Sequence, residues 1–402
     1  MKFIENVKKE EYSKFVENHK YSHFLKSYEW AEVSKLKGWI PFCVGLKDKN
    51  KLVATALLLK KKLPLGYSYF YIPRGYTIDY SDYSLIEQFT QEIDKFTKKH
   101  KSLFFKIDPD IKLHTIDKEA DIIEGENNYE LVQKLLNIGF KRKKLNKFFE
   151  NEQPRFTFRI NLDTEENINK RYSKTVHRFI KKSNFYEVEP YIGKKEEIEE
   201  FTRLMKLTEK RQNFYSHNSN YYEKFYEIFK ENNHVEVMLA KVNLKKIIDK
   251  LEDEITKIED IEIKNKKIAE KELFESKLNS REEIVVSAYF TVFYGDKAWY
   301  LYGANDMDFK NTLANYKLFD FQIKQALERG IPIFDEFGTI GDTHTNNKLI
   351  GLHEFKKKFG GEYTEFIGEF DYIQKPFINF LYKMIIPVRR RLVRRRLRNK
   401  GE

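Results

Sequence analysis

The sequence predicts an α+β protein built from a duplicated unit, each copy a mixed sheet flanked by helices. Three observations predict it. One order of elements reads twice along the chain, strands rich in Val, Phe and Tyr alternate with amphipathic helical stretches, and 402 residues suit two domains. Apolar residues make up 41% and aromatics 15%, so a large core can be filled although 34% of the chain is charged.

In the first half, KEEYSKFVENH and SYEWAEVSKLKG carry helical periodicity, and PFCVGLKD and KLVATALLLKKK read as two strands joined by the short turn KDKN. The aromatic strand YSYFYIPRGYTIDY follows, then the helix SLIEQFTQEIDKFTKKH and the strand SLFFKIDPD. The second half repeats this order. Its helices are EEIEEFTRLMKLTEKRQ and YYEKFYEIFKEN, its paired strands HVEVMLAKV and EIVVSAYFTVFYG, and its aromatic strand KAWYLYGANDMD. The helix LANYKLFDFQIKQALERG and the strand IPIFDEFGT close it. Identity between the halves is slight, so the repetition is one of topology.

One joint differs. Where the first half has a four-residue turn, the second has a charged segment from about Leu244 to Asn279. Leu244, Ile247, Leu251, Ile255 and Ile258 recur three or four apart, and Ile268, Phe274 and Leu278 continue the stripe past EDIEIKNKK. This spacing predicts two helices folded back as an antiparallel coiled-coil arm inserted into a hairpin. The domains expected are thus 1–150, 151–382 interrupted by the arm at 244–279, and a basic amphipathic tail at 383–402.

Of the +12 net charge, Lys383 to Lys400 supply nine basic residues and no acid, which leaves +3 to the rest of the chain. Phe377, Phe380, Leu381, Met384, Ile385, Val388 and Leu392 recur among these basic residues at three- and four-residue spacing, the pattern of a helix lying on an anionic surface. Contact with a membrane or with RNA is expected from it, the alternative being a solvated tail. Cys43 is the single cysteine and cannot form an internal disulfide. With no apolar N-terminal segment and no apolar run of ~18–20 residues, the expected compartment is the cytoplasm.

Motifs for dinucleotide, P-loop and hydrolase chemistry are absent, and HEFKK places Lys357 where a zinc-protease motif needs its second histidine. No metal site is expected. Cys43, within an apolar strand, reads as core. In LIGLHEFKKKFGGEYTEFIGEFD a strand-free, basic, Gly-rich opening precedes a strand that ends in acids, and Lys356 there can face a developing negative charge or sit in a solvated turn. RYSKTVHRFIKKS sets Arg171, Lys174, Arg178, Lys181 and Lys182 largely along one helical side, suited to phosphates or simply solvated.

Taken together, the duplicated unit, the interrupted hairpin, SYEWAEVSKLKGW, YFYIPRGYTIDY, FFKIDPD, AWYLYGAND and LHEFKKKFGGEYTEFIGEFD resemble the FemABX family of tRNA-dependent peptidoglycan-branching aminoacyltransferases over nearly the whole chain. The resemblance implies two GNAT-like (acyl-CoA N-acyltransferase-like) domains that no longer use acyl-CoA, in keeping with the absence of a Q/RxxGxG/A loop. It implies no cofactor, an aminoacyl-tRNA co-substrate carrying glycine, alanine or serine, and as acceptor the side-chain amine of the third stem residue of lipid II or UDP-MurNAc-pentapeptide. The tail would then hold the enzyme peripherally at the inner face of the plasma membrane, and the arm would touch tRNA or a partner, including a homo- or hetero-dimer.

The chemistry needs positioning more than covalent catalysis, since an aminoacyl ester is already activated. An acceptor amine with a pKa of ~10.4 must still lose its proton. The resemblance places Lys356 near the carbonyl oxygen as oxyanion stabiliser and offers Asp108 and Glu369 as proton acceptors or structural acids. Lys35 matches the lysine after the W-x-x-V helix that meets the precursor's phosphates. Tyr221, and Tyr300 or Tyr302, match aromatic pocket positions, with core packing as their alternative, and Arg74 joins the same substrate-binding set. His217 stands where the family pattern has an arginine, a departure that favours lipid II over the soluble nucleotide. Competing readings are a GNAT-like tRNA-dependent transferase acting on protein N-termini, and a non-catalytic RNA or membrane adaptor.

Overall fold

The computed structural model describes residues 1–147, 152–212, 216–278, 281–342 and 349–384, which form two compact units. The basic stretch of the expected tail beyond residue 384 lies outside the described residues.

The first unit contains β1 (Lys2–Ile4), α1 (Lys9–Glu17), α2 (Tyr28–Leu36), β2 (Ile40–Asp48), β3 (Lys51–Lys62), β4 (Ser68–Ile72), α3 (Tyr83–Lys99) and β5 (Ser102–Ile107). It continues with β6 (Lys112–Ile116), β7 (Ile122–Asn127), α4 (Tyr129–Ile138) and β8 (Phe140–Arg142). The helix starts are chemically marked: Ser27 caps α2 by accepting the Trp30 N–H, and Asp82 caps α3 by accepting that of Leu85. Gly139 ends α4 at φ +111°, where a side chain would be strained.

The second unit contains β9 (Phe156–Asn161), α5 (Glu165–Arg171), α6 (Lys174–Phe185), β10 (Glu189–Ile192), α7 (Ile198–Gln212), α8 (Ser219–Lys230) and β11 (Val235–Asn243). Then follow α9 (Leu244–Lys257), α10 (Ile261–Leu278), β12 (Glu283–Tyr294), β13 (Lys297–Asn305), α11 (Ala314–Glu328), β14 (Ile333–Thr339), α12 (Ile350–Lys357) and β15 (Glu362–Phe366), of which Glu365 and Phe366 already belong to the first unit. The last strand, β16 (Phe370–Ile373), and a helix over 376–384 belong to the first unit.

The duplication is visible in the pairing. The first sheet runs β1-β2-β3-β4-β5-β16-β8, and the second unit's strands run β10-β11-β12-β13-β14-β9-β15. In each, three successive pairings are antiparallel, the next is parallel (β4 with β5, β13 with β14), and the one after is antiparallel again. Each parallel pair is connected by a helix, α3 or α11, as such a crossover requires. The sequence assigns everything up to residue 382 to the second domain; the structure instead inserts β16 between β5 and β8, a long-range pairing that no local pattern announces.

Each unit has its own core. Val44, Leu58, Phe70, Ile93, Phe105 and Phe370 fill the first; Ile160, Met238, Tyr289, Phe319, Phe334 and Phe359 fill the second. Cys43 is buried, and desolvation pushes its thiol up to about 12, as befits a packed residue.

The hairpin insertion is present. Asn243 pairs with Glu283 on either side of α9 and α10, and ion pairs Lys267–Glu254 and Lys271–Glu252 join the two helices. The sequence suggests a projecting arm; its base is instead part of the body, because Leu244, Ile247, Leu251 and Phe274 enter the second core and Phe274 stacks on Phe309 at 5.3 Å. Burying that end of the seam gives an apolar stripe what a free two-helix arm could not.

Candidate active site

In the first unit the end of β5 and the PRG turn bring two of the predicted residues together. Arg74 adopts φ +54° and Gly75 φ +72°, and a Cβ on Gly75 would lie 2.6 Å from the Tyr80 hydroxyl, so the turn needs that glycine. It aims the Arg74 N–H at Asp108 Oδ1 at 2.7 Å, while the Tyr71 hydroxyl donates to Oδ2 at 2.9 Å. The Arg74 guanidinium donates to the Pro154 carbonyl at 3.2 Å and lies 4.9 Å over the Phe366 ring. Burial pushes the Asp108 carboxyl up to about 7, against the opposing pull of Arg74 and Tyr71. A carboxyl poised there can take a proton near neutral pH.

Glu369, the second predicted acid, has the opposite environment. It accepts from Lys106 at 2.9 Å, from Lys143 at 2.5 Å and from the Glu152 N–H at 3.1 Å. Burial raises its pKa, but the two ammonium groups outweigh it and hold the carboxyl below the usual range. So engaged, Glu369 is better placed to lock β16 against its neighbours than to accept a proton. Lys35 is exposed on α2 and pairs with Glu32 at 2.6 Å, a weak link that a phosphate can displace.

In the second unit the predicted strand-free segment around Lys356 is the helix α12, and Lys356 faces inward from it. Its Nζ donates to the carbonyls of Glu336 at 2.5 Å, Phe337 at 3.1 Å and Gly338 at 2.8 Å. An ammonium has three protons, so all are engaged. These carbonyls converge because β14 breaks register with β9 between Asp335 and Gly338, with Phe337 at φ +58°. Burial pushes the Lys356 ammonium down to about 8, with Glu336 and Asp335 opposing. Lys356 thus presents a buried charge and no spare N–H.

Beside it lies a residue the sequence reading missed. Glu336 is fully buried, neither carboxylate oxygen has a hydrogen-bond partner among the described residues, and burial drives its pKa well above the carboxylate range. A buried orphan carboxyl is costly, by roughly 1–3 kcal/mol or more, so its presence is informative. The signal available was FDEFG, two adjacent acids, Asp335 and Glu336, inside an otherwise apolar strand. Tyr71, the partner of Asp108, was likewise missed and has no sequence signature.

Tyr300 and Tyr302 do not form one pocket. Tyr300 pairs with Thr291 and Tyr302 with Phe290, so Leu301 is bulged out. The Tyr300 ring meets Tyr289 and Phe319 and lies 5.3 Å from Lys356 Nζ. Tyr302 instead meets Tyr222 and Phe290, and its hydroxyl is 3.3 Å from that of Tyr221. The His217 ring lies against Tyr221, tilted by 33° with centroids 3.8 Å apart, and Asn218 caps α8 through the Tyr221 N–H. The structure thus joins His217, Tyr221 and Tyr302, and separately Lys356, Tyr300 and Glu336.

Of the predicted phosphate ligands, Arg171 is committed to Asp163, 2.9 Å away. Lys174, Arg178, Lys181 and Lys182 are exposed along α6 and make no ion pair among the described residues. They form an unneutralised basic strip. No cluster of metal-ligating side chains occurs among the described residues, and no described helix is long and apolar enough to cross a membrane.

Comparison with known proteins agrees with this architecture. The chain is 27% identical over 423 residues to a lipid II:glycine glycyltransferase of Staphylococcus haemolyticus (strain JCSC1435), spanning 98% of this chain and 97% of that one. It is 29% identical over 429 residues to a lipid II:glycine glycyltransferase of Staphylococcus aureus, with the same coverage. The crystal structure of FemX superposes with a TM-score of 0.79 at 26% identity, covering 96% of this chain and 100% of that one. The FemAB family model matches residues 7–386, and the chain belongs to the FemAB family.

Proposed function

We propose that this protein transfers an amino acid, glycine foremost among glycine, alanine and serine, from aminoacyl-tRNA to the side-chain amine of the third stem residue of lipid II. The observation that carries the reading is end-to-end similarity to two lipid II:glycine glycyltransferases, each matched over 98% of this chain. In this reading the fold is a pair of GNAT-like units and α9 and α10 are a coiled-coil arm. Its far end, where Ile261 and Ile263 are exposed, meets tRNA or a second protomer.

The acceptor amine attacks the ester carbonyl, a C–N bond forms, and the C–O bond to the tRNA ribose breaks with the oxygen leaving as a hydroxyl. In the second unit Lys356 supplies positive charge for a carbonyl oxygen; in the first, Asp108 takes up the proton the amine loses, an equivalent proton completing the leaving ribose hydroxyl, and no cofactor enters. Lys35 and Arg74 bind acceptor phosphates and peptide. Tyr221, Tyr302 and His217 form an aromatic wall, and the α6 strip meets phosphates of the tRNA. The arginine-rich sequence beyond residue 384 gives peripheral contact with the anionic inner face of the plasma membrane, at about 1 kcal/mol per basic residue.

The test is a transfer assay with a panel of labelled aminoacyl-tRNAs, lipid II in detergent, and UDP-MurNAc-pentapeptide as competing acceptor. Label moving to lipid II from glycyl-tRNA supports the reading. Folded protein that transfers from no tRNA to either acceptor refutes it.

A further inference from the structure

We propose that one rim of the first unit, formed by the β3–β4 hairpin tip and the outer face of the helix over 376–384, is a docking surface for an anionic lipid bilayer. It rests on the lipid II reading above; Phe377, Phe380, Leu381 and Met384 belong to the amphipathic stretch already read from the sequence as lying on an anionic surface, and the structure adds Leu65, Lys62, Lys101 and Lys375 beside it.

Leu65 stands 90% exposed at the hairpin tip, at φ +58°, in a tight turn closed by the Tyr67 N–H to the Pro64 carbonyl. A leucine held in left-handed backbone and offered to solvent carries two penalties at once, with no folded-state contact to offset them. On the helix, Phe377 (74% exposed), Phe380 (61%), Leu381 and Met384 (61%) recur at three- and four-residue spacing, so one face is apolar and uncovered. The opposite face is fixed: Asn379 is buried, and the Tyr382 ring lies 6.2 Å from Tyr69 and 6.4 Å from Phe104.

Strand register puts both features on the same rim. Ser68 is level with Ser102 across the parallel β4–β5 pair, and the Ser68 N–H reaches the Lys101 carbonyl. Ile373 is level with Phe104, and the N–H groups of Gln374 and Lys375 both reach the Leu103 carbonyl. The hairpin tip and the start of the helix therefore leave the sheet at one end. Lys62, Lys101 and Lys375 are exposed there and make no ion pair among the described residues. Apolar side chains ringed by free ammonium groups match an anionic interface, and the sequence that follows continues with Arg389, Arg390 and Arg391.

Flotation of the full chain with phosphatidylglycerol–phosphatidylcholine vesicles tests this. Leu65→Ser is expected to weaken binding about tenfold and Leu65→Ser/Phe377→Ser/Phe380→Ser about a hundredfold, tail intact, as lost insertion of exposed apolar side chains predicts. In Leu65→Trp the added emission should shift to the blue on vesicle binding. Unchanged binding of the triple variant overturns the proposal, as does an unshifted Leu65→Trp spectrum in bound protein. A concentration-dependent dimer that Phe377→Ser/Phe380→Ser dissolves, without vesicle binding by the wild type, assigns the face to a second copy and also overturns it. Transfer to lipid II in detergent reads the functional proposal independently, because none of these residues is placed in its machinery.

Discussion

Tyr300 and Tyr302, two residues apart on one strand, face opposite sides of the sheet because Leu301 is bulged out between them. Tyr300 reaches the Lys356 side and Tyr302 the Tyr221 side, so one strand serves two clusters. Gly303 makes this possible: a Cβ there would lie 1.8 Å from the Tyr300 hydroxyl.

Gly303→Ala should therefore lower stability by about 1–3 kcal/mol, since Tyr300 is packed against Tyr289 and Phe319 and must move. Chemical denaturation measures it. A midpoint equal to wild type would mean that the bulge does not depend on this glycine.

Lys356→Met is expected to reduce kcat by about 10²–10³ while leaving aminoacyl-tRNA binding nearly intact, the pattern of lost transition-state charge stabilisation. Lys356→Arg should not rescue it, because a planar guanidinium cannot feed three convergent carbonyls. Single-turnover transfer separates the two effects; loss of binding with unchanged kcat would refute the role.

For Asp108 the pH dependence has a definite sign. Its carboxyl titrates at about 7 in the folded state, so as a proton acceptor it loses activity as pH falls through 7. Asp108→Asn should remove that acid limb and cost about 10²–10⁴ in rate. The stability effect runs the other way: a raised carboxyl pKa favours folding at low pH, and this contribution disappears as pH rises from about 4 through 7. Asp108→Asn should flatten that part of the stability profile, read by thermal denaturation across pH.

If the Lys356 charge is needed, activity falls as pH rises through about 8, where burial has brought its ammonium. Burial also drives the neighbouring Glu336 carboxyl well above the usual carboxylate range, towards its neutral form, so Glu336→Gln, which mimics that form, should leave the basic limb nearly unmoved. A limb shifted to lower pH in Glu336→Gln would show instead that the carboxyl is charged beside Lys356.

What the sequence by itself determined was everything carried by local periodicity. Apolar spacing in Leu244–Asn279 identified an inserted helical pair, and the repeated element order identified two units with one topology, because side chains three, four or two apart share a face wherever the backbone is regular. The family resemblance carried by FFKIDPD and HEFKKKF pointed to Asp108 and Lys356, and the strand-free reading of the latter agrees with helix α12 without having named it as a helix. Tertiary structure alone decided the rest. The bulge at Leu301 overrode two-residue alternation and split Tyr300 from Tyr302. Insertion of β16 beside β5 brought Glu369 to Lys106, 263 residues away in the chain. The carbonyl cage around Lys356 and the orphaned carboxyl of Glu336 arise where β14 breaks register under α12. Such features come from pairing and burial between distant segments, and pKa, orientation and unmet hydrogen bonds are properties of that surrounding, not of the residue type.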